Sequence, residues 1–306
     1  MTIGIDFGGT TVKIAAVFQS HIIDHAPPIA TQEFESKDEL IDAMVRVVED
    51  LRSRHPGVAA IGVGMPGFVN FEKGLVYNLT NVEGWESVPL KRILEERIGL
   101  PVIVDNDANC MAFAEWRCGA GRGFQHVIFI AMGTGVGGAV IANGQMIRGA
   151  FHGAGEIGQT SVDYQGRPGH YGNLGAMEKY VGNGDIAARA RDAYAEAGIQ
   201  VSTSDCTPAL LATAAHRGDA VAAAQWEETG RIVATSVMNC CWLLNPEAIV
   251  IGGGVARAGS LIFDPIKKHL FDQLSGPFKD HLMVLPASFG HEAGIIGAAA
   301  LAREIV

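Results

Sequence analysis

Residues 3–17 of the chain read IGIDFGGTTVKIAAV, and this stretch decides the fold class. A short apolar run leads into a Gly-Gly-Thr turn at residues 8–10, and a second apolar run follows at once. Such a pattern is typical of a β-hairpin with a glycine-rich tip. Residues 127–142, VIFIAMGTGVGGAVIA, repeat the design. The sequence therefore predicts two halves that each begin with the same kind of hairpin.

Each predicted hairpin opens a region in which helices alternate with buried strands. Buried strands are predicted at residues 59–64, 102–104, 248–251 and 283–285. Helices are predicted at residues 107–117, 185–197, 208–216, 220–244 and 294–305. A capping box from Ser36 to Glu39 predicts the start of one more helix. The alternation predicts two α/β domains.

The expected domain boundary is a glycine-rich break in this pattern. Residues 119–123, GAGRG, interrupt the alternation of helices and strands. We expect a small N-terminal domain over residues 1–118 and a large C-terminal domain over residues 119–291. The terminal helix, about residues 292–306, is expected to pack back on the first domain.

Composition and charge restrict the class of function. The 306 residues are 48% hydrophobic and carry a net charge of −10. This apolar content suffices for a buried core, which excludes a disordered or coiled-coil chain. The acidic balance argues against a broad surface for nucleic acid or for an anionic membrane. The long apolar stretch 220–244 contains charged residues and is interpreted as a core helix.

The cysteines indicate reduced thiols. Five are present, an odd number, and none forms a CxxC pair. We interpret them as buried thiols and expect a cytoplasmic location. The chain opens almost directly into a strand at Ile3, so we expect no signal peptide.

The glycine tips are candidates for phosphate binding. Glycines let backbone amides approach phosphate oxygens, and neighbouring threonines add hydroxyl donors. Asp6, at the end of the first strand, can hold Mg²⁺ through water, although it could equally cap the turn. Gly252–Gly254 fits a surface for adenine or ribose, or a tight turn after a strand. The predicted nucleotide-binding residues are Gly8, Gly9, Thr10, Thr11, Gly133, Thr134, Gly135, Gly253 and Gly254.

A second polar cluster, VDNDAN at residues 104–109, ends a predicted strand and begins a helix. A carboxylate there can accept a proton from a substrate hydroxyl. Asp and Asn are also ordinary helix N-caps. At Asp107 we favour the role of catalytic base.

The order of these motifs resembles the ROK family of bacterial sugar kinases and repressors. The resemblance covers nearly the whole chain and implies the duplicated actin-like, ribonuclease H-like ATPase fold, with two α/β domains around a cleft. It also implies sugar in that cleft, ATP and magnesium mainly on the second domain, and a homodimer or homotetramer. The motifs are Asp6-Phe-Gly-Gly-Thr10, Gly64-Met-Pro-Gly67, Asn81-Val-Glu-Gly-Trp85, Asn106-Asp-Ala-Asn109, Gly133-Thr-Gly-Val-Gly-Gly138, Gly155-Glu-Ile-Gly158 and Gly252-Gly-Gly254.

The resemblance also implies roles for single residues. Asp107 matches the family's catalytic base, and Asn106 matches a sugar-binding amide. Glu156 and Glu178 match carboxylates that accept hydrogen bonds from sugar hydroxyls. The expected substrate-binding residues are Gly67, Asn81, Asn106, Asp107, Glu156, Gln159 and Glu178.

The chain departs from the family at its structural zinc site. The family usually holds zinc with one His and three Cys, and the corresponding positions here are Gln159, Gly169, Tyr171 and Ala176. These residues cannot assemble a tetrahedral zinc site, so we predict that no zinc is bound. The family's His also touches the sugar. Gln159 would keep a hydrogen-bonding group there without an imidazole, which leaves the sugar preference open.

The predicted reaction is transfer of the ATP γ-phosphoryl group to a hexose hydroxyl, with O6 of glucose favoured. N-acetylglucosamine, N-acetylmannosamine, mannose, fructose and allose also fit a site of this kind, and polyphosphate is an alternative donor. A sugar-sensing repressor is disfavoured because we expect no DNA-binding module ahead of Asp6. An actin-like or Hsp70-like ATPase would leave Asn106, Asp107, Glu156 and Glu178 unexplained.

Overall fold

The computed structural model describes residues 1–79 and 82–306. Asn81, one of the predicted sugar contacts, lies outside the described residues. The chain divides into two compact units. The first unit comprises Met1–Gly123, Arg148–Ala154 and His291–Val306, and the second comprises Phe124–Ile147 and Gly155–Gly290. Residues 119–123, 148–154 and 291, which were predicted to lie in the large domain, thus belong to the first unit.

The first unit contains a mixed sheet and a small separate sheet. Its strands are β1 (Thr2–Phe7), β2 (Thr11–Phe18), β3 (His21–His25), β4 (Ile29–Ala30), β5 (Ala60–Met65), β6 (Val69–Asn70), β7 (Leu75–Asn78), β8 (Glu86–Val88) and β9 (Val102–Asn106). The main sheet has the order β3-β2-β1-β5-β9, and β4 pairs with β2. Strands β6, β7 and β8 form the small sheet. In the main sheet β1, β5 and β9 are parallel, β2 pairs antiparallel with β1, and β3 pairs antiparallel with β2.

The second unit repeats this sheet. Its strands are β10 (Val127–Met132), β11 (Val136–Ala142), β12 (Gln145–Ile147), β13 (Ala248–Gly252) and β14 (Met283–Pro286). The order is β12-β11-β10-β13-β14; β10, β13 and β14 are parallel, β11 pairs antiparallel with β10, and β12 pairs antiparallel with β11. Both units therefore have one topology, in which a hairpin is followed by two parallel strands.

Helices cover the strands of both units. The first unit has α1 (Lys37–Arg54), α2 (Leu90–Ile98), α3 (Asp107–Cys118) and α10 (Ala293–Arg303). The second has α4 (Glu178–Val181), α5 (Asn183–Glu196), α6 (Pro208–His216), α7 (Ala220–Leu244), α8 (Ser260–Asp272) and α9 (Pro277–His281). Ser36 caps α1 by accepting a hydrogen bond from the Glu39 amide at 3.3 Å.

The C-terminal helix α10 packs on β1, β5 and α3 of the first unit. Two glycines make this approach possible. A Cβ atom at Gly4 would overlap the carbonyl oxygen of Ile295, and one at Gly62 would overlap that of Ala298. The backbones of strand and helix are therefore in direct contact, and ten of the residues of α10 are buried.

The second unit has its own core around α7. Trp226 on this helix is 2% exposed and packs in a cluster with residues of β10 and β13. Asp219 caps the helix by accepting from the Ala222 amide at 2.9 Å, and the helix ends at Asn245 in the left-handed conformation. Within residues 1–79 and 82–306, none of the helices combines the length and the apolarity needed to cross a membrane. All five cysteines are free thiols.

Candidate active site

The junction between β9 and α3 carries two of the predicted site residues. Asn106 is the N-cap of α3, and its Oδ1 accepts hydrogen bonds from the amides of Ala108 (2.9 Å) and Asn109 (3.2 Å). The side-chain Nδ2 of Asn106 donates to the carbonyl of Gly67 at 3.0 Å. Both ends of this amide thus hold the local structure, in addition to any contact with a substrate.

Asp107 is the first residue of α3, directly after the cap. Its Oδ1 accepts from the Ala108 amide at 2.8 Å. Gly64 near the end of β5 lets α3 lie close to this strand, since a Cβ atom there would be 3.2 Å from the Cys110 Sγ atom. Because Asn106 already caps the helix, helix capping does not account for an aspartate at position 107.

Gly67 turns the chain after β5 with a φ of +77°, a conformation that favours glycine. The turn presents its carbonyl to Asn106. The predicted sugar-binding positions Gly67, Asn106 and Asp107 are therefore brought together in the first unit.

A buried carboxylate, Asp105, supports this junction, although no role was predicted for it from the sequence. Asp105 is 2% exposed. Its Oδ1 accepts from the Asn106 amide (2.8 Å) and from Asn109 Nδ2 (2.9 Å). Its Oδ2 accepts from Arg148 Nε (3.0 Å) and Nη2 (2.6 Å). A charged residue inside an apolar strand signals a buried partner, but the sequence does not say which of its cations that partner is.

Asp6 lies at the end of β1 against the first turn of α10. A Cβ atom at Gly294 would be 2.7 Å from the Asp6 Cγ and Oδ1 atoms, so glycine permits this contact. Burial raises the pKa of Asp6, and the charge of Lys13 on β2 partly offsets the rise. The partial positive charge at the start of α10 also favours an anion at this point.

The tip of the first hairpin is exposed at Gly9 and Thr10. A hydrogen bond within the turn stabilises it: the Gly8 amide donates to the Thr11 carbonyl at 2.9 Å. The Thr10 carbonyl accepts from the Thr31 amide at 3.0 Å. The Gly8 amide is thus engaged in the turn itself.

The tip of the second hairpin is built in a similar way. The Gly133 amide donates to the Gly135 carbonyl at 2.9 Å, and the Gly133 carbonyl accepts from the Asn183 amide at 2.8 Å. Thr134 is exposed at the tip. The structure therefore places a threonine hydroxyl at the exposed tip of each hairpin.

Glu178 lies directly against the second tip. Its Oε2 accepts from the Val136 amide at 2.9 Å, and a Cβ atom at Gly135 would collide with the same oxygen. Gly135 is therefore required for the carboxylate to approach the hairpin. This contact joins a predicted sugar ligand to a predicted nucleotide-binding loop.

Two further predicted sugar ligands lie beside Glu178. Gln159 Nε2 is 3.4 Å from Glu178 Oε1. Gln159 ends a short 3₁₀ helix, Ile157–Gln159, which directly follows Glu156. Burial and the charge of Glu178 raise the pKa of Glu156. His170, which the sequence analysis did not assign, has its Nε2 atom 3.3 Å from Glu178 Oε1. The structure thus gathers Glu156, Gln159 and Glu178, and it adds an imidazole.

The segment that would carry the family's zinc is held by hydrogen bonds. Asn173 Nδ2 donates to the Gln159 carbonyl at 2.7 Å, and the Gly169 amide donates to the Asn173 carbonyl at 2.6 Å. The Met177 amide donates to the Thr160 carbonyl at 3.0 Å. In the described part of the chain no group of three or more His, Cys, Asp or Glu residues could hold a metal ion. The residues at the family's zinc positions do not fit a zinc ion.

Of the glycines after β13, Gly253 is required by packing, whereas Gly254 is not. Gly253 has a φ of +87°, and a Cβ atom there would overlap the backbone of Met132 at the end of β10. Packing alone therefore requires a glycine at 253. A Cβ atom at Gly254 would meet nothing within 4 Å. Gly254 is the stronger candidate for a ligand contact.

Taken together, the first unit presents a carboxylate at a helix start, and the second presents neighbouring carboxylates beside a glycine turn. These are the groups that accept protons and hydrogen bonds from hydroxyls. The model of the ROK family matches residues 2–305. The chain belongs to the ROK family.

Several similar proteins are named as kinases. The chain is 34% identical over 316 residues to a glucokinase of Streptomyces coelicolor, covering 99% of this chain and 98% of that protein. It is 34% identical over 313 residues to a glucokinase of Halalkalibacterium halodurans, covering 99% of this chain and 94% of that protein. A solved ROK glucokinase from Streptomyces griseus, in complex with glucose and AMPPNP, has a TM-score of 0.83 at 33% identity over 99% of both chains. The predicted family and duplicated actin-like fold are confirmed.

Proposed function

We propose that this ROK protein is an ATP-dependent kinase that transfers the γ-phosphoryl group to a hexose hydroxyl, with O6 of glucose as the favoured acceptor. Relatives named glucokinase, at 34% identity over nearly the full chain, support the reaction class and the sugar. The observation that carries the proposal is the β9–α3 junction. There Asn106 caps the helix, and a carboxylate follows at Asp107 without being needed for the cap.

Asp107 would accept the proton of the attacking hydroxyl. Phosphoryl transfer leaves the protein mainly to position the reactants and to stabilise charge. The carboxylate stands on the first turn of a rigid helix, and the Ala108 amide fixes one of its oxygens at 2.8 Å. A base held in this way would keep a fixed direction toward a bound hydroxyl, which supports its role in proton transfer.

Glu156, Gln159 and Glu178 would select the sugar by its hydroxyls. Carboxylates are strong acceptors, and a site built to pair hydroxyls rejects analogues that lack them. Burial and the nearby Glu178 carboxylate raise the pKa of Glu156. Hydrogen bonds from sugar hydroxyls would stabilise the charged carboxylate and lower that pKa. Gly67, Asn81 and Asn106 complete the proposed sugar-binding set.

Thr10, Thr11, Thr134 and the glycines of the two tips would bind ATP, and Gly253 and Gly254 would lie along its nucleoside. The Gly8 and Gly133 amides close their own turns, so the exposed threonine hydroxyls are the better phosphate ligands. The AMPPNP complex of the Streptomyces griseus relative supports a nucleotide as the donor.

Magnesium fits this donor set through Asp6. Mg²⁺ usually keeps several waters and takes one or two carboxylates together with substrate phosphates. A single partly buried carboxylate near the end of β1, next to the first tip, would meet that requirement. When bound, the ion neutralises charge on the transferring phosphates.

A coupled assay of ADP release across hexoses and N-acetylhexosamines tests the proposal. We expect glucose to give the highest kcat/KM with ATP, and polyphosphate to give a lower rate with the same sugar. ATP hydrolysis at full rate without sugar would instead indicate an actin-like ATPase. No phosphorylation of any sugar in the panel would contradict the kinase assignment.

The family resemblance also leads us to propose a homodimer or homotetramer. Light scattering on the purified protein measures the mass directly. A monomer at micromolar concentration would contradict this part of the proposal.

A further inference from the structure

We propose that Arg148 is a positioning residue for the reaction: it holds Asp105, and through Asp105 it orients the turn that carries Asn106 and Asp107. This inference rests on the proposed kinase function. Arg148 lies outside every motif that the sequence analysis used. It follows β12 directly and is the first residue of the segment that joins the first unit.

The contact between Arg148 and Asp105 is short and well shielded. Two guanidinium nitrogens, Nε and Nη2, lie 3.0 and 2.6 Å from Asp105 Oδ2. The Arg148 side chain is 18% exposed and the Asp105 side chain 2%. Charge-assisted hydrogen bonds with so little water are stronger and more directional than surface pairs.

Asp105 passes this restraint on to the catalytic turn. Its other oxygen, Oδ1, accepts from the Asn106 amide at 2.8 Å and from Asn109 Nδ2 at 2.9 Å. One bond therefore fixes the backbone just before Asp107, and the other fixes the first turn of α3. All four hydrogen bonds to Asp105 converge on the junction between β9 and α3.

Arg148 is itself held in place. Its guanidinium carbon lies 3.5 Å from the ring centroid of Phe71, a stacking contact between a planar cation and an aromatic face. Its carbonyl accepts from the Ala154 amide at 3.0 Å, and Gly149 turns the chain with a φ of +74°. A stacked guanidinium on a closed turn presents its donors at a fixed angle.

Arg148 also sets the charge balance at the junction. Burial and the carboxylates of Asp105, Asp107 and Asp6 raise the pKa of the Cys110 thiol well above its usual range, while Arg148 lowers it. The charges of Arg148 and of the three aspartates therefore all act at the position of Cys110, on the first turn of α3. Without Arg148, Asp105 would be a buried anion with no cation against it.

The test compares R148Q, R148K, D105N and the double variant D105N/R148Q in steady-state kinetics. A displacement of about 1 Å at a reacting group can cost about 10²-fold in rate. We expect R148Q to lose between about tenfold and 10²-fold in kcat, with the KM for ATP within about twofold of the wild type. R148K keeps the charge but lacks the planar fork, so its loss should be smaller.

Comparison of the kcat losses in the single and double variants distinguishes action of Arg148 through Asp105 from a general structural role. If Arg148 acts through Asp105, the double variant loses no more kcat than the worse single variant. R117Q is the matched control, because Arg117 also stacks on an aromatic ring, Trp116 at 4.2 Å, and pairs with a carboxylate, Glu304 at 3.1 Å. Its kcat should stay within about twofold of the wild type.

Three outcomes would overturn the inference: an unchanged kcat in R148Q, an equal loss in R117Q, or single losses that multiply in the double variant. If R148Q fails to fold, kcat of R148K and of the double variant still tests the inference. R148K keeps a cation opposite Asp105, and the double variant removes both charges, so neither leaves an unpaired buried charge.

Hydrogen exchange of the amides at residues 106–110 gives a readout that needs no activity. It should accelerate in R148K relative to wild type but not in R117Q, and equal protection in R148K and wild type would contradict the proposal. An inactive wild-type protein would refute the kinase function and leave this structural comparison intact.

Discussion

Asn106 and Asp107 are adjacent in sequence and divide two tasks between them. The side chain of Asn106 caps α3 and binds the Gly67 carbonyl, so Asp107 is not required for capping. An aspartate at a helix start is usually explained by capping or by the helix dipole. Here Asn106 already supplies the cap, so capping does not explain the aspartate at position 107.

D107N tests the proposed base while leaving the fold unchanged. The amide keeps the size of the side chain and an oxygen for the Ala108 amide, but it cannot accept a proton at neutral pH. We expect kcat to fall by about 10²- to 10⁴-fold with little change in the melting temperature. Measurement of kcat with the favoured sugar checks this.

D38N is the matched control for that variant. Asp38 also lies in the first turn of a helix, α1, and its side chain is 75% exposed. Its replacement should leave kcat unchanged. A D107N enzyme with kcat near that of wild type would remove Asp107 as the base.

G135A tests the contact between the second glycine tip and Glu178. The added Cβ atom would collide with Glu178 Oε2 and displace the carboxylate. A hydrogen bond to a charged group contributes about 1.5–3 kcal/mol, so the KM for sugar should rise roughly tenfold to a hundredfold. The KM for ATP should rise less.

G184A provides the comparison for G135A. Gly184 lies in α5, and a Cβ atom added there would meet nothing within 4 Å. Alanine should therefore be accepted at this position, and the sugar KM should stay constant. An unchanged sugar KM in G135A would show that the position of Glu178 does not matter for sugar binding.

At this scale the sequence predicted candidate site residues but not the partners that hold them. Asp107 and Glu178 stand in motifs of adjacent residues, so a single stretch of sequence identifies them. Arg148 and Asp105 are 43 positions apart and meet only because of the fold. No local pattern links them. His170 also lay outside the motifs, and it reaches Glu178 through the folding of the intervening loop.

Secondary-structure elements position the site through their ends. Helix α3 begins where the parallel strand β9 ends, so the residues at that junction project from the carboxyl end of the sheet. The two hairpins end in exposed tips because three residues with two glycines join strands that pair directly. The same element arrangement in both units explains why the glycine motifs recur along the chain.

Substitution of Asn106 separates the cap of α3 from the bond to Gly67. N106A removes both and should lower the free energy of unfolding by about 1 kcal/mol. N106S keeps a capping oxygen and should recover most of that loss, but not the bond from Nδ2 to Gly67. Chemical denaturation of both variants checks the stabilities.

Measurement of kcat/KM in the same variants then tests the bond from Asn106 to Gly67. We expect low kcat/KM in both N106A and N106S, because alanine has no donor and the shorter serine hydroxyl does not reach the Gly67 carbonyl from its capping position. S36A, which removes the corresponding cap of α1, should lose similar stability and keep full kcat. Equal instability of N106S and N106A would contradict a capping role for Asn106.

At the scale of the whole molecule, the partly buried carboxylate of Glu156 links stability to pH. The pKa of Glu156 is raised by burial and by Glu178, so the folded state binds a proton there more tightly than the unfolded chain does. Between the ordinary pKa and the raised one, the folded state carries more protons. Stability therefore falls as pH rises through this window.

E156Q should remove this dependence. We expect the urea midpoint of E156Q to exceed that of the wild type at pH 8, and the difference to shrink as the pH falls below the raised pKa of Glu156. Sugar binding should weaken in the same variant, because the carboxylate acceptor is lost. E96Q, in which an exposed glutamate on α2 is changed, should follow the wild type at each pH. A constant difference across the pH range would contradict the assignment.

The sequence by itself determined the duplicated α/β fold, the glycine tips and the polar start of α3. These features depend on hydrophobic periodicity, turn residues and capping residues, which act over a few neighbours in the chain. Only the tertiary structure decided that Asp105 pairs with Arg148, that Glu178 lies against Gly135, and that Gly253 is required by the backbone of Met132. Those contacts join residues far apart in sequence, and burial decides their partners. A residue type alone states only that a buried carboxylate or a close backbone approach needs a partner.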